Sequence, residues 1–218
     1  MAAGRGDNVK LYSYWNSSCS FRVRIALNLK GIKYEYKAVD LLKGEQFYPE
    51  FLKLNPVGFV PVLVDGDVVI ADSFAIIMYL EDTYSQNPFL PHDVHKRAIN
   101  FQIASIVSST IQPFQNLRLL KHVEEKVSPE ETHCWTKSAI EKDLQALEQL
   151  LTDHAGRYAT GDEVFLADLF LAPQLNTAFT LLKIDSKKFP TLAILHETYK
   201  EIQAFEEALP KNQPDAEH

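Results

Sequence analysis

Two cysteines in 218 residues, Cys19 and Cys134, are too few for a disulfide framework and too far apart in sequence for a chelating pair. That usage points to a reducing compartment. No apolar run approaches the roughly 20 residues a membrane helix requires, and no apolar stretch precedes Val9, so neither a secretory signal nor an anchor is expected. The expected location is cytoplasmic, with no membrane partner. Positive charge is also short. Lys plus Arg is 22 against 29 Asp plus Glu, a net charge of −7 that supplies no general field for nucleic acid or anionic lipid. Nor is there a metal-ligand set: His92 and His95 flank two residues with no further ligand nearby, so they read as solvated histidines and no metal is expected.

What remains, 46% hydrophobic and 23% charged with 8 Gly and 11 Pro, is the composition of an ordinary globular chain of one or two domains. The first part changes period several times. Val9 to Trp15 alternates and is rich in aromatic and β-branched residues, which predicts a strand. Val23, Ala26, Leu27 and Lys30 keep helical spacing, and Gly31 stops that segment as a C′ glycine does. Tyr34, Tyr36 and Ala38 predict a second strand, parallel to the first because a helix joins them.

Pro61 to Val64 and Val68 to Ile70 flank Asp65-Gly66, a hairpin turn signal. Ser73 is expected to cap a helix from Phe74 to Tyr84. The order βαβ then ββα predicts an α/β, thioredoxin-like N-terminal domain over residues 1–84.

The polar stretch 85–93, with Pro88 and Pro91, reads as a linker, and 94–218 reads as an all-α domain. His95 to His122 is helical with Pro113 as a kink. Pro129 to Leu151 carries a stripe at Ile140, Leu144, Leu147 and Leu151. Leu166 to Leu182 is apolar nearly all round and bent at Pro173, Thr191 to Leu209 closes the domain, and the tail from Pro210 onward is expected to be loose. Asp168 stands where half of a capping box belongs, with Phe165 at the N-cap position, and reads as structural.

Chemistry is suggested where the first strand meets the first helix. Ser17-Ser18-Cys19-Ser20 stands at a helix N-terminus, where N–H groups and the helix dipole favour an anion. Thioredoxin-like redox proteins place Cys-x-x-Cys there, but here Ser17 and Ser20 occupy the outer positions, so a self-contained dithiol cycle is excluded. A serine hydroxyl instead donates a hydrogen bond to a thiolate brought by a ligand and lowers that thiol's pKa. The alternative for Ser17 and Ser18 is helix capping alone, and for Cys19 an inert thiol. Val60-Pro61 precedes the hairpin strand, where a cis proline would signal function. Asp72-Ser73 opens another helix and adds a carboxylate suited to an ammonium group, or serves only as a cap. Together these features suit a peptide-like ligand with a thiol, an amine and carboxylates.

The stretch from Ser17 to Leu27, with Val60-Pro61, Asp72-Ser73 and Ile111 to Leu117, resembles the zeta class of glutathione transferases, the family that includes maleylacetoacetate isomerase. The similarity runs from about Lys10 to Gln213-Pro214-Asp215, and Leu41-Leu42-Lys43-Gly44 and His95-Lys96-Arg97 are similar to plant members. The resemblance implies the glutathione-transferase fold, glutathione as cofactor and a homodimer. It also implies isomerisation of maleylacetoacetate-type acids in tyrosine breakdown, or conjugation and dehalogenation of small electrophiles. By position it implies that Ser17 activates the thiol beside Ser18 and Cys19, that Gln46 meets the glycyl end, and that Val60 with Pro61 meets the cysteinyl part. Asp72 and Ser73 would hold the γ-glutamyl group, with Gln112 and Asn116 contributed by the helical domain.

Two positions depart from the family pattern: Asn16 and Leu181 stand where the family usually carries arginines for the substrate's carboxylates. Arg22, Arg24, Arg118 or Lys183 would have to substitute, or the preference would drift toward apolar electrophiles. Two competing functions use the same fold: a Cys19-dependent glutathione thiol oxidoreductase, and a non-catalytic ligand-binding module.

Overall fold

A computed structural model describes residues 8–216. The chain divides into two units: one runs through Pro88 and resumes at Glu201, and the other is Phe89–Lys200.

The first unit is built on four strands, β1 (Val9–Ser13), β2 (Glu35–Ala38), β3 (Val62–Asp65) and β4 (Val68–Ala71), in the order β2-β1-β3-β4. β1 and β2 are parallel, with Leu11 opposite Tyr36, and β3 is antiparallel to both of its neighbours. The parallel pair is joined through α1 (Ser18–Leu29), which ends at Lys30 and at Gly31, whose φ of +66° is the left-handed value a C′ residue needs. Gly66 likewise takes φ +60° in the β3–β4 turn. Strand alternation sorts the core. Tyr12 and Val62 are paired and pack with Phe51 of the short helix α2 (Pro49–Leu52). Leu11 and Leu63, also paired, are buried on the opposite face with α1 and with α3 (Ser73–Thr83), which pack on each other.

β1 stops at Ser13 rather than Trp15, because the chain turns there: the Ser17 N–H donates to Tyr14 O at 3.0 Å. The cap of α3 is Asp72, not Ser73. One Asp72 oxygen, Oδ1, accepts from the N–H groups of Phe74 and Ala75, while Ser73 is the first helical residue.

A larger correction concerns the C-terminus. The expected helix Thr191 to Leu209 is broken into α8 (Pro190–Tyr199) and α9 (Gln203–Glu207), and the segment from Glu201 onward belongs to the first unit. Its described residues are not loose. A 3-10 turn over Pro210–Asn212 is held by Gln213, whose Nε2 donates to Glu207 O and Leu209 O, both at 2.9 Å. Beyond α9, whose Phe205 is buried, polar side chains anchor the chain, so apolar periodicity carries no trace of that last part. Residues 217 and 218 lie outside the described residues.

The second unit is helical: α4 (Val94–Ser105), α5 (Leu117–Glu124), α6 (Pro129–Thr152), α7 (Leu166–Asn176) and α8. Pro113 does not kink a continuous helix. α4 runs into a π-helical turn over Ile106–Ile111 and a 3-10 turn over Gln112–Gln115, and a new helix starts at the N-cap Asn116. α6 opens with a full capping box between Ser128 and Glu131 and buries the predicted stripe completely. α7 is buried from Leu166 to Leu175, carries Pro173 inside, and continues as a π-helical turn over Thr177–Leu181. Its N-terminus is locked by Asp168, which accepts from the N–H groups of Ala159 and Phe165 and from the Tyr199 hydroxyl at 2.7–2.9 Å. Phe165 has no acceptor, so the capping bond runs in one direction. Among the described residues no helix is long and apolar enough to cross a membrane.

Candidate active site

Two helix N-termini of the first unit carry the candidate residues. Ser17 is the N-cap of α1, with extended backbone at φ −78° and ψ 117°, and its Oγ accepts the Ser20 N–H at 3.2 Å. That bond uses a lone pair of the oxygen and leaves the hydroxyl hydrogen for another acceptor. Ser18 and Cys19 follow in the first turn, half-buried, and Cys19 is a free thiol. Asn16, in the turn before them, is exposed.

Asp72 begins the second N-terminus. Its φ of +78° and ψ of 127° is a conformation non-glycine residues rarely hold, costing on the order of 1–3 kcal/mol, and such strain is concentrated at functional sites. Its side chain is exposed while Ser73 beside it is buried. Val60-Pro61, immediately before β3, is a cis peptide, and Val60 is buried in the cluster with Tyr14, Phe51 and Val62.

Arg22 joins the two ends. The sequence offers it as a substrate contact, but it is only 1% exposed, and its Nη1 donates to Ser73 Oγ at 3.2 Å. Burial pushes its pKa down, opposed by the nearby Cys19 and Asp72. It therefore supports the site from beneath. Arg24 is fully buried as well and donates to Ser13 Oγ, Tyr14 O, Trp15 O and Ala208 O, so it too is withdrawn from substrate. Burial lowers its pKa to about 10, which leaves it cationic at neutral pH.

Gln46 lies in a 3-10 turn over Glu45–Phe47. Its Nε2 reaches Leu41 O at 3.4 Å, and its buried Oε1 has no hydrogen-bond partner. Gly58, at φ +71°, lets this turn approach: a Cβ there would stand 3.0 Å from the Phe47 ring and 3.3 Å from Gln46 O. A cleft of about 180 Å³ lined by Tyr12, Val39, Glu45, Tyr48, Phe51 and others opens beside α2, and its lining includes none of Ser17, Val60 or Asp72.

The remaining predicted residues belong to the second unit. Gln112 is half-buried in its 3-10 turn, and Asn116 caps α5 by accepting from the N–H groups of Arg118 and Leu119. Arg118 is exposed on α5, and Leu181 is 53% exposed at the end of the π-helical turn. Sequence reasoning gave no role to Gln115, whose side-chain amide is buried without a hydrogen-bond partner, or to Asp215, which accepts from the N–H of Trp15, two residues before Ser17. No periodicity marks either position.

Comparison with known proteins places this geometry in a family. Residues 7–82 match the glutathione S-transferase N-terminal domain, and residues 114–211 the glutathione S-transferase C-terminal domain. A zeta-class glutathione S-transferase of Euphorbia esula is 61% identical over 208 residues, covering 95% of this chain and 92% of that protein. The holo structure of maleyl pyruvate isomerase, a bacterial zeta-class glutathione S-transferase, superposes with a TM-score of 0.92 at 37% identity, over 95% of this chain and all of that one. Maleylacetoacetate isomerase of Anaeromyxobacter dehalogenans, with glutathione bound in its active site, gives a TM-score of 0.89 at 39% identity, over 98% of this chain and all of that one. The chain belongs to the glutathione S-transferases, in their zeta class.

Proposed function

We propose that this chain is a glutathione-dependent isomerase and transferase in which Ser17 activates the ligand's thiol. The observation that carries the reading is the pair of helix N-termini, Ser17 at α1 and Asp72 at α3, joined by the buried Arg22–Ser73 bond. The residues fit the tripeptide. Ser17 has a hydroxyl hydrogen to give to a thiolate at the positive end of α1. Asp72 offers a carboxylate to the γ-glutamyl ammonium, with Ser73 beside it at the end of α3. Val60, just before β3, is suited to backbone pairing with the cysteinyl part, and the unpartnered Gln46 Oε1 can accept from an N–H at the glycyl end.

Bound glutathione supplies a thiolate that adds to the conjugated double bond of a cis-dienoic diketo acid and leaves after bond rotation, giving the trans acid. Ser17 holds the charge on that sulfur, and Arg22 keeps the two helix ends in register. A cytoplasmic homodimer acting in tyrosine breakdown completes the proposal, supported by the same family membership. The decisive experiment is turnover of maleylacetone with catalytic glutathione: conversion to the trans isomer with glutathione unchanged is expected, and its absence in folded protein overturns the isomerase reading. Cys19, a free thiol in the same helical turn, allows a mixed-disulfide activity instead. Full activity in Cys19→Ala disposes of it.

A further inference from the structure

The C-terminal segment buries Phe205 and Ala208 along α9, and its polar groups converge on the turn that precedes Ser17. Arg24 and Asn28, one helical turn apart on α1, donate to the carbonyls of Ala208 and Ala204 at 3.1 and 2.9 Å. Past α9 the chain is folded by Asn212 Nδ2 to Glu206 O and by the two Gln213 bonds. This presents Asp215 to the sheet. Its Oδ2 accepts the Trp15 N–H at 3.1 Å, and its Oδ1 accepts the Tyr36 hydroxyl of β2 at 2.7 Å.

The other side of Trp15 is held as well. Arg24 Nη2 donates to Trp15 O at 3.1 Å, and Nη1 reaches Ser13 Oγ and Tyr14 O at 3.2 and 3.3 Å. Both backbone polar groups of Trp15 are thus clamped, one by a carboxylate and one by a buried guanidinium. Tyr14 O, next along, also accepts the Ser17 N–H at 3.0 Å. The clamp therefore fixes the turn that sets the position of Ser17 Oγ.

We infer that Asp215 is a positioning residue for Ser17: through the Trp15 N–H, the C-terminal strap holds the turn that aims the serine hydroxyl at the ligand's thiol. This rests on the reading of Ser17 given above. The physical reason is geometric, because hydrogen bonds to charged acceptors are directional and a misplacement near 1 Å can cost about 100-fold in rate.

The test uses the full chain with Asp215→Ala and the isosteric Asp215→Asn, which keeps one acceptor oxygen. In ligand-free protein, hydrogen exchange of the Trp15 amide is expected to quicken about tenfold in the alanine variant and less in the asparagine variant. With glutathione bound, ultraviolet titration is expected to place the thiol pKa about one unit higher in Asp215→Ala, with kcat at neutral pH down about tenfold. KM for glutathione should change less than twofold, since Asp72 and Ser73 are untouched. The effect should disappear in a Ser17→Ala background, where the hydroxyl being aimed is already gone. A folded Asp215→Ala with wild-type thiol pKa and pH profile overturns the proposal, and so does an effect that adds in full to Ser17→Ala. If Ser17→Ala itself leaves the thiol pKa unmoved, the Ser17 reading falls and this proposal with it. The Trp15 exchange rate then still separates a strap that holds the turn from one that does not.

Discussion

Ser17 caps a helix with one part of its hydroxyl, and the thiol activation proposed for it would use another, so the two readings of that residue do not compete. The lone pair accepts from Ser20, and the hydrogen is left to donate to a ligand. Ser17→Ala should lose both, and the losses differ in kind. Losing the cap costs roughly 1 kcal/mol of stability. Losing a hydrogen bond to a charged acceptor, worth about 1.5–3 kcal/mol, raises the pKa of bound glutathione by one to two units. Ultraviolet titration of the bound thiol measures the second, and identical values in the two proteins would remove Ser17 from its role. At this scale Ser17, Val60 and Asp72 could be picked out as candidates because each sits at or just before the start of a helix or strand. Arg22 and Arg24 were not, since charged side chains default to the surface and only packing shows them buried. Their burial narrows the candidates for a substrate carboxylate to Arg118 and Lys183. Leu181 is half-exposed, so Leu181→Arg should not disturb the core. The added fork should raise the specificity constant for maleylacetone about tenfold. Robust wild-type activity that the substitution does not improve would mean that another cation already serves.

Elements were legible wherever an apolar period was long and capped, as in α1, α6 and the β3–β4 hairpin. They were not where the backbone changes pitch. The π-helical turns at Ile106–Ile111 and Thr177–Leu181 keep the helical spacing of their apolar residues, and nothing apolar marks the break between α8 and α9. The start of α3 allows stability and binding to be separated. Asp72 contributes two cap bonds and holds a strained φ of +78°. Asp72→Ala removes the bonds and keeps the strain, so α3 should lose about 1 kcal/mol. Asp72→Gly removes the same bonds but accepts that φ freely, so its stability should stay within about 0.5 kcal/mol of wild type. Both should bind glutathione far more weakly, with the reactivity of what remains bound little changed, because the role proposed for the carboxylate is to meet the ammonium rather than the sulfur. Calorimetric titration beside denaturant unfolding reads the two effects. A glycine variant with wild-type affinity would remove Asp72 from the γ-glutamyl site.

For the molecule as a whole, the two-part plan was legible from the shift between alternating and helical periods, while the apolar residues Phe205 and Ala208 do not say which unit they join, and the side-chain bonds to carbonyls that hold the C-terminus to the first unit leave no pattern. The second unit holds two buried titratable groups of opposite effect. His196, packed edge-on to Phe179, has its pKa lowered from 6.5 to about 4, mainly by burial and then by Lys200, with Glu197 opposing. Its contribution to stability is present above pH 6.5 and is lost as pH falls through 4, about 2 kcal/mol of it by pH 5. Asp168 has its pKa raised from 3.8 to about 6 by burial, against the hydrogen bonds it accepts. Its contribution is full below pH 3.8 and is lost as pH rises through 6, so acidification from pH 7 to 5 restores about 1 kcal/mol. The second only partly offsets the first, and together they should lower wild-type stability by up to about 1 kcal/mol across that range. His196→Gln removes only the first. The variant should therefore gain about 1 kcal/mol on acidification from pH 7 to 5, and its stability relative to wild type should improve by about 2 kcal/mol. Guanidinium unfolding at the two pH values measures this, and a difference between the proteins that does not change with pH would show that His196 titrates as it does in the unfolded chain.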